Sequence, residues 1–303
     1  MIKVLVSGLI NIEHSTKVDR FPIPYDPIHY GFHKNTLTIS GVGYNVMMAM
    51  HTLGADVIPY GLIGQDLAGT MIKHALNARG LNQTYIHQVL KETPTSTVLV
   101  DETGKRSIYC DLKDIQDHFI PFKDDLSEVD MVILGNINFS RNLIKASKKA
   151  LKLIAVDVHT LHDYDDPYNK EFLMSADIVF FSHESLNEEP EVFMKRLIKT
   201  YDINVLVCTQ GEKGLLYYTK QTEMIRHLDA IKVPKMKSTV GAGDALFASF
   251  LYFFLKGHPV EQALRHATYF ASYKLQFSGG SIGFLSERDL ITWMKEDKDN
   301  GLY

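Results

Sequence analysis

The clearest chemistry in this chain lies in Ser238-Thr239-Val240-Gly241-Ala242-Gly243-Asp244, which runs straight into the apolar stretch Ala245 to Leu255. Two glycines around a small alanine, ahead of a long run without charge, Gly or Pro, read as a tight turn feeding the N-terminus of a buried helix. Such a helix start presents unpaired backbone N–H groups and the positive end of a dipole, which together bind anions. Lacking Cβ atoms, Gly241 and Gly243 let that backbone approach a phosphate closely. Asp244 stands out, because a carboxylate beside an anion hole repels phosphate unless it has a task. Taking a proton from an attacking hydroxyl is such a task. Anion hole plus base is equipment for phosphoryl transfer to an alcohol. The plainer explanation is a well-capped helix start, since acidic residues favour the first turn, so the rest of the chain has to decide.

Two further groups of residues have binding chemistry. Asn11 and Glu13 alternate with apolar neighbours after the strand-like run Ile2 to Ser7, so they share one face and offer hydrogen bonds to sugar hydroxyls. The reading favoured by composition alone is that this face is the solvated side of an edge strand. Ser40-Gly41-Val42-Gly43-Tyr44-Asn45 opens a helix running to about Leu53, with Gly54 as its stop. Asn45, just inside a glycine turn, can donate and accept, either to a ligand or as a cap. Tyr44 could stack on a ring or pack in the core, and Met47, Met48 and Met50 read as core filling.

The elements that must position these residues follow from periodicity. Asp56 to Ile63 reads as a strand and Leu67 to Ala78 as a helix with Gly80 beyond it. Ser96 to Val100 and Lys105 to Leu112 alternate around Asp101-Glu-Thr-Gly104, a hairpin signal. With the proline-containing segment 11–39, the hairpin is expected to form a small antiparallel sheet apart from the main one. Asp130–Gly135, Leu153–Val158, Asp177–Phe181 and Asn204–Thr209 are short apolar runs separated by helical stretches, the pattern of a parallel sheet. Leu215–Thr219 adds a strand, Val260–Phe277 a helix broken by Gly279-Gly280, and Asp289–Lys295 a short surface helix. No linker or repeat divides the chain, so one α/β domain over residues 1–303 is expected, with a β appendage from approximately 11–39 and 95–112.

Composition narrows the setting. The chain has 303 residues, 45% hydrophobic and 22% charged, ordinary for a globular protein. Its 32 basic and 36 acidic residues leave a formal charge of −4, which gives no basic field for nucleic acid or an anionic membrane. No stretch has the length of a membrane span and the N-terminus lacks a signal pattern, so a cytoplasmic location is expected. Cys110 and Cys208 sit in apolar strand-like runs and read as reduced core residues. There is no G-x-x-x-x-G-K-[ST] loop and no G-x-G-x-x-G fingerprint. His159-Thr-Leu-His162-Asp163, with Asp165 and Asp166, reads as a polar loop after a strand rather than a metal site.

Four segments in order, Gly8-x-x-Asn11-x-Glu13, Gly41-x-Gly43-x-Asn45, Thr209-Gln-Gly211-Glu-Lys-Gly214 and Thr239-Val-Gly-Ala-Gly-Asp244, resemble the PfkB/ribokinase family of sugar and nucleoside kinases. The resemblance runs from Ile2 to about Leu290. It implies a three-layer α/β/α fold with a mostly parallel central sheet and a small β-sheet lid, and ATP-dependent phosphorylation of a hydroxymethyl group. Under it, Asp244 matches the catalytic base, and Gly241, Ala242 and Gly243 the anion hole. Thr209, Gly211, Gly214 and Thr239 match the nucleotide side, and Asn11, Glu13, Gly41, Gly43 and Asn45 the substrate side. Mg²⁺ bridges the ATP phosphates in the family, and many members respond to K⁺ bound near the nucleotide. The lid edges leave a homodimer open.

The chain departs from the family in four places. Glu13 replaces the usual Asp, and Ser238 replaces the Asp before Thr239, on which the monovalent-cation site depends. The run Ser182-His183-Glu184-Ser185 replaces Asn-Glu-x-Glu, leaving Glu184 as the one substitute on the metal side. Ser278-Gly-Gly-Ser281 replaces a Gly-Ala pair. Val42 stands where members acting on sugar phosphates carry Lys. The expected acceptor is therefore a free sugar, with a nucleoside as the alternative, and a non-catalytic binder on the same scaffold is the reading from another class.

Overall fold

A computed structural model describes residues 1–233 and 236–299; Pro234, Lys235 and the last four residues of the expected domain lie outside the described residues. Nine strands form the main sheet: β1 (Lys3–Ser7), β4 (Asp56–Gly64), β5 (Tyr85–Leu90), β8 (Met131–Gly135), β9 (Leu153–Thr160), β10 (Ile178–Ser182), β11 (Val205–Thr209), β12 (Leu215–Thr219) and β13 (Met224–Leu228). The spatial order is β13-β12-β11-β10-β9-β8-β1-β4-β5, with every pairing parallel except β11–β12 and β12–β13, so that β12 alone runs against the rest. Alternation along β1 shows why the sheet is covered on both faces. Val4 and Val6 enter one core, shared with helices α1 (Val42–Leu53), α6 (Ala242–Leu255) and α7 (Val260–Lys274). Leu5 enters the other, under α3 (Arg141–Lys149), α4 (Lys170–Ser175) and α5 (Pro190–Thr200). The remaining helices are α2 (Leu67–Ala78) and α8 (Glu287–Asp299).

The expected helix at 67–78 has these bounds in the structure; Asp66 caps it through Gly69 N–H at 2.8 Å. Gly54 closes α1 at φ 105°. The helix expected to reach Phe277 stops at Lys274, and β5 and β13, edge strands of weaker alternation, were not anticipated. After β1 the chain builds outward through β4 and β5, then returns to β8 on the other side of β1. This reversal opens a crevice at the C-terminal strand ends, where open α/β sheets bind ligands.

The second sheet has four strands in the order β3-β2-β6-β7: β2 (Asn11–Lys17), β3 (Asn35–Ser40), β6 (Thr95–Val100) and β7 (Arg106–Asp111). It is mixed rather than antiparallel, because β2 and β6 run parallel. The two segments come from separate crossings of the main sheet, so no turn forces an antiparallel pair between them. That placement also corrects the expectation for Asn11 and Glu13. They lie on an inner strand and are buried, 3% and 4% exposed, not on a solvated edge. Cys208 is buried as expected, but Cys110, on the edge strand β7, is exposed. Tyr44 is packed into the core, as are Met47, Met48 and Met50. No helix among the described residues is long and apolar enough to cross a membrane.

Candidate active site

Asp244 sits in the first turn of α6, behind Gly241, whose φ of 78° is left-handed. It is buried, and its Oδ2 accepts a hydrogen bond from Asn45 Nδ2 at 2.7 Å, across 199 residues of sequence. Two glycine turns, each opening a helix, are thereby locked to one another at their side chains. Gly43 allows it: a Cβ there would lie 2.5 Å from the carbonyl of Gly8, so α1 starts hard against the end of β1. Gly41 has φ 96° and no room for a Cβ beside Leu9. On the other helix, a Cβ at Gly241 would lie 2.2 Å from the Gly280 carbonyl, and one at Gly280 would strike Ser40 and Asn45. Around Gly243, by contrast, nothing lies within 4 Å of a Cβ, so the start of α6 is open there. Gly280 was not singled out from the sequence; its signal was the departure from the family's Gly-Ala pair.

The substrate-side pair from β2 is polar and enclosed. Asn11 Nδ2 donates to Ser96 Oγ at 3.0 Å, while its buried Oδ1 has no hydrogen-bond partner. A buried acceptor left unmatched is costly, which marks it as a place for a ligand hydroxyl. Glu13 Oε1 accepts from Ser15 Oγ at 3.0 Å.

The nucleotide-side residues are spread more thinly. Thr209 ends β11 with its carbonyl taking a hydrogen bond from the His183 ring at 3.0 Å. Gly211 (φ 61°) borders open space, whereas a Cβ at Gly214 would lie 2.1 Å from the Leu228 carbonyl, so Gly214 serves the packing of β13. Thr239 Oγ1 accepts from Arg106 Nη1 at 2.7 Å, joining the hairpin of the small sheet to the glycine turn. Nothing in the residue pattern singles out Arg106. Glu184 is exposed in a single 3-10 turn, its N–H held by Ser182 Oγ at 3.3 Å. Among the described residues no three His, Cys, Asp or Glu side chains converge as a metal site, His159 to Asp166 included.

Electrostatics separate Asp244 from the other carboxylates. Burial pushes its carboxyl up to about 6; the Asp157 carboxylate adds to this, while His159, the Asn45 hydrogen bond and Lys274 oppose it. Asp157 is buried on β9, and His159 follows it in a left-handed backbone at φ 56° with its ring 3.9 Å from the Asp157 carboxylate. Lys274, the last residue of α7, is fully buried, and burial pulls its ammonium down to about 8 against the attraction of Asp244 and Glu13. Neither His159 nor Lys274 was recognised from the sequence as facing Asp244.

Comparison with known proteins identifies the family and the fold. The model of the pfkB family carbohydrate kinases matches residues 1–287. The acarbose 7(IV)-phosphotransferase of Actinoplanes is 23% identical, over 95% of this chain and 97% of that one. Among solved structures, a microbiome-derived acarbose kinase superposes with a TM-score of 0.84 at 22% identity, covering 97% of this chain and 99% of its own. The Arabidopsis thaliana ribokinase bound to ribose and ATP superposes at 0.81 with 21% identity, covering 97% and 98%. With a family match that takes in almost the whole chain and a fold shared across these structures, the chain belongs to the pfkB family of carbohydrate kinases.

Proposed function

We propose that the protein is a single kinase domain that transfers the γ-phosphoryl group of ATP to a hydroxymethyl group of a free sugar. The observation that carries this reading is the buried Asp244, fixed by Asn45 at 2.7 Å beside an open helix start. Held there, its carboxylate takes the proton of the acceptor hydroxyl as that oxygen attacks phosphorus in line. Backbone N–H groups of Gly241 and Gly243 meet the charge that develops on the transferring group, joined by that of Ala242 once it leaves the Thr239 carbonyl, to which it donates at 3.3 Å. The unmatched Asn11 Oδ1 and the Glu13 carboxylate orient the sugar hydroxyls from the small sheet, which acts as a lid. Thr209, Gly211 and Thr239 line the nucleotide side, with Gly214 shaping it.

Mg²⁺ fits this site as a passenger of the nucleotide. The ion keeps waters and substrate phosphates as ligands and needs only one or two carboxylates, and Glu184 offers one. When bound, Mg²⁺ supplies charge neutralisation on the triphosphate. Use of ATP supports a cytoplasmic location. The outer strands β3 and β7 expose Leu37, Ile108 and Tyr109, which supports pairing of two lids in a homodimer; a monomeric mass in solution removes that part.

The test is ADP release over a panel of free sugars, nucleosides and sugar phosphates, with Asp244→Asn beside the wild type. A free-sugar hit that falls by about 10²–10⁴-fold in the variant is the expected result. A nucleoside hit moves the acceptor class. Silence over the panel with ATP still bound gives the non-catalytic binder, and a variant of unchanged activity removes Asp244 as base.

A further inference from the structure

The turn after α7 carries a charge for which phosphoryl transfer, as described above, has no use. Lys274 is fully buried, and a buried ammonium needs partners to offset its lost hydration. Its Nζ donates to the Phe277 carbonyl at 3.3 Å, and the Phe277 N–H donates back to the Lys274 carbonyl at 3.0 Å. The same turn is laced to the segment before the anion hole. The Leu275 carbonyl accepts the N–H groups of Lys237 at 2.8 Å and Ser238 at 3.2 Å, and the Gly280 carbonyl presses on Gly241. From this seam the ammonium is within electrostatic reach of both Asp244 and Glu13. A positive charge held on a peptide carbonyl, within electrostatic reach of the carboxylate that follows the glycine turn, is what a bound monovalent cation supplies. Ammonium and K⁺ carry the same charge, are similar in size and both bind carbonyl oxygens.

The residues present do not fit a free K⁺ in this seam. Ser238 puts a neutral hydroxyl, already accepting from Val240 N–H at 3.2 Å, where the family carries a carboxylate. A tethered ammonium already in place repels a second cation in a dry site, where charges interact strongly. We propose that Lys274 is a positioning residue that replaces the family's monovalent cation, so that this enzyme works without K⁺. The charge travels with the chain and holds the glycine turn and Asp244 in place at any salt composition. For its kinetic arm the inference rests on Asp244 acting as base; its thermal arm does not.

The experiment measures kcat/KM and the unfolding temperature in equimolar KCl, NH₄Cl, NaCl and choline chloride. Wild type, Lys274→Met and Lys274→Ala are compared. The wild type is expected to give the same kcat/KM within about twofold, and the same unfolding temperature, in all four salts. Lys274→Met fills the space without the charge. It is expected to lose at least about tenfold in kcat/KM, equivalent to about 1.4 kcal/mol of transition-state stabilisation, with no recovery in any salt. It should keep its unfolding temperature, because exchanging a buried charge for an apolar group is commonly neutral or stabilising. Lys274→Ala opens the seam, and K⁺ or NH₄⁺ is expected to raise both its activity and its unfolding temperature above the values in choline.

A wild type stimulated severalfold or thermally stabilised by K⁺ overturns the proposal. So does Lys274→Met with wild-type kcat/KM, or Lys274→Ala responding alike to all four salts. A wild type inactive on every acceptor removes the kinase reading, yet the thermal comparison of wild type with Lys274→Ala still decides this one.

Discussion

In the proposed reaction Asp244 is the base and Glu184 the carboxylate on the metal side, yet one stands in the packed core and the other in solvent. Around Asp244, two helix starts, a strand end and the turn at Gly280 meet at distances where a single methyl group would collide. The carboxylate there has one assigned hydrogen bond at 2.7 Å and a raised affinity for its proton. Around Glu184 there is a one-turn helix, exposed and held by a 3.3 Å hydrogen bond. The difference follows from what each end must do. A proton-transfer geometry tolerates little displacement, so it is built from backbone packing. A metal that arrives with its nucleotide brings most of its own ligands, so the protein can hold that end loosely.

Breaking the seam at Asn45 is therefore expected to have a large effect. Asn45→Leu, with the same number of side-chain heavy atoms, removes the donor from Asp244. The lost positioning lowers kcat by about 10–10²-fold, with the KM for ATP unchanged. Steady-state kinetics with both substrates varied makes the check. A variant within twofold of wild type would mean that the Asp244 side chain is held by burial alone.

A pH profile sharpens the same contrast. The raised carboxyl of Asp244 must be ionised to accept a proton, so kcat/KM is expected to fall about tenfold per pH unit below pH about 6. The same shift has a consequence for stability. A carboxyl whose proton affinity rises on folding favours the native state below its unfolded pKa of 3.8 and loses that advantage as the pH climbs through about 6. Asp244→Asn, which cannot ionise, should thus unfold at a higher temperature than wild type at pH 8, and most of that gain should be gone by pH 4. Differential scanning calorimetry at the two pH values reads it. An acid limb near 4 would place the carboxylate in a wetter environment than the packing around Asp244 gives.

How much of this was legible in the sequence differs between the same two ends. The glycine turns 41–45 and 241–244 announced themselves, because close backbone approach requires Gly and leaves a mark at fixed spacing. The parallel sheet followed from short apolar runs alternating with helical stretches, and the three-layer arrangement from the resemblance to the family. What could not be read was the company each side chain keeps. Asn11 and Glu13 looked like the wet face of an edge strand because local alternation does not say which strands will flank them. The parallel pairing of β2 with β6 buries them. Lys274 lay unremarked inside the helix expected over Val260–Phe277; its burial and the turn that brings the Phe277 carbonyl to its ammonium belong to the folded chain. Asp157 lay unremarked inside the expected strand Leu153–Val158 and His159 at the start of a polar loop; that both act on Asp244 is a product of the fold.

The smallest expected effect is at Glu184, and it tests the contrast from its loose end. Glu184→Gln keeps the shape of the turn and the Ser182 contact to its N–H, so folding is not at issue. If Mg²⁺ is held mainly by the triphosphate, losing one exposed carboxylate weakens a contact already screened by water and salt. The apparent Mg²⁺ requirement should then rise by no more than about threefold, with kcat nearly unchanged. Titrating Mg²⁺ at fixed ATP, for wild type and variant side by side, measures both quantities. A loss in kcat as large as that at Asn45 would mean that the exposed turn becomes part of a rigid site once nucleotide binds. The nucleotide end would then be built by its ligand, as the Asp244 end is built by the core.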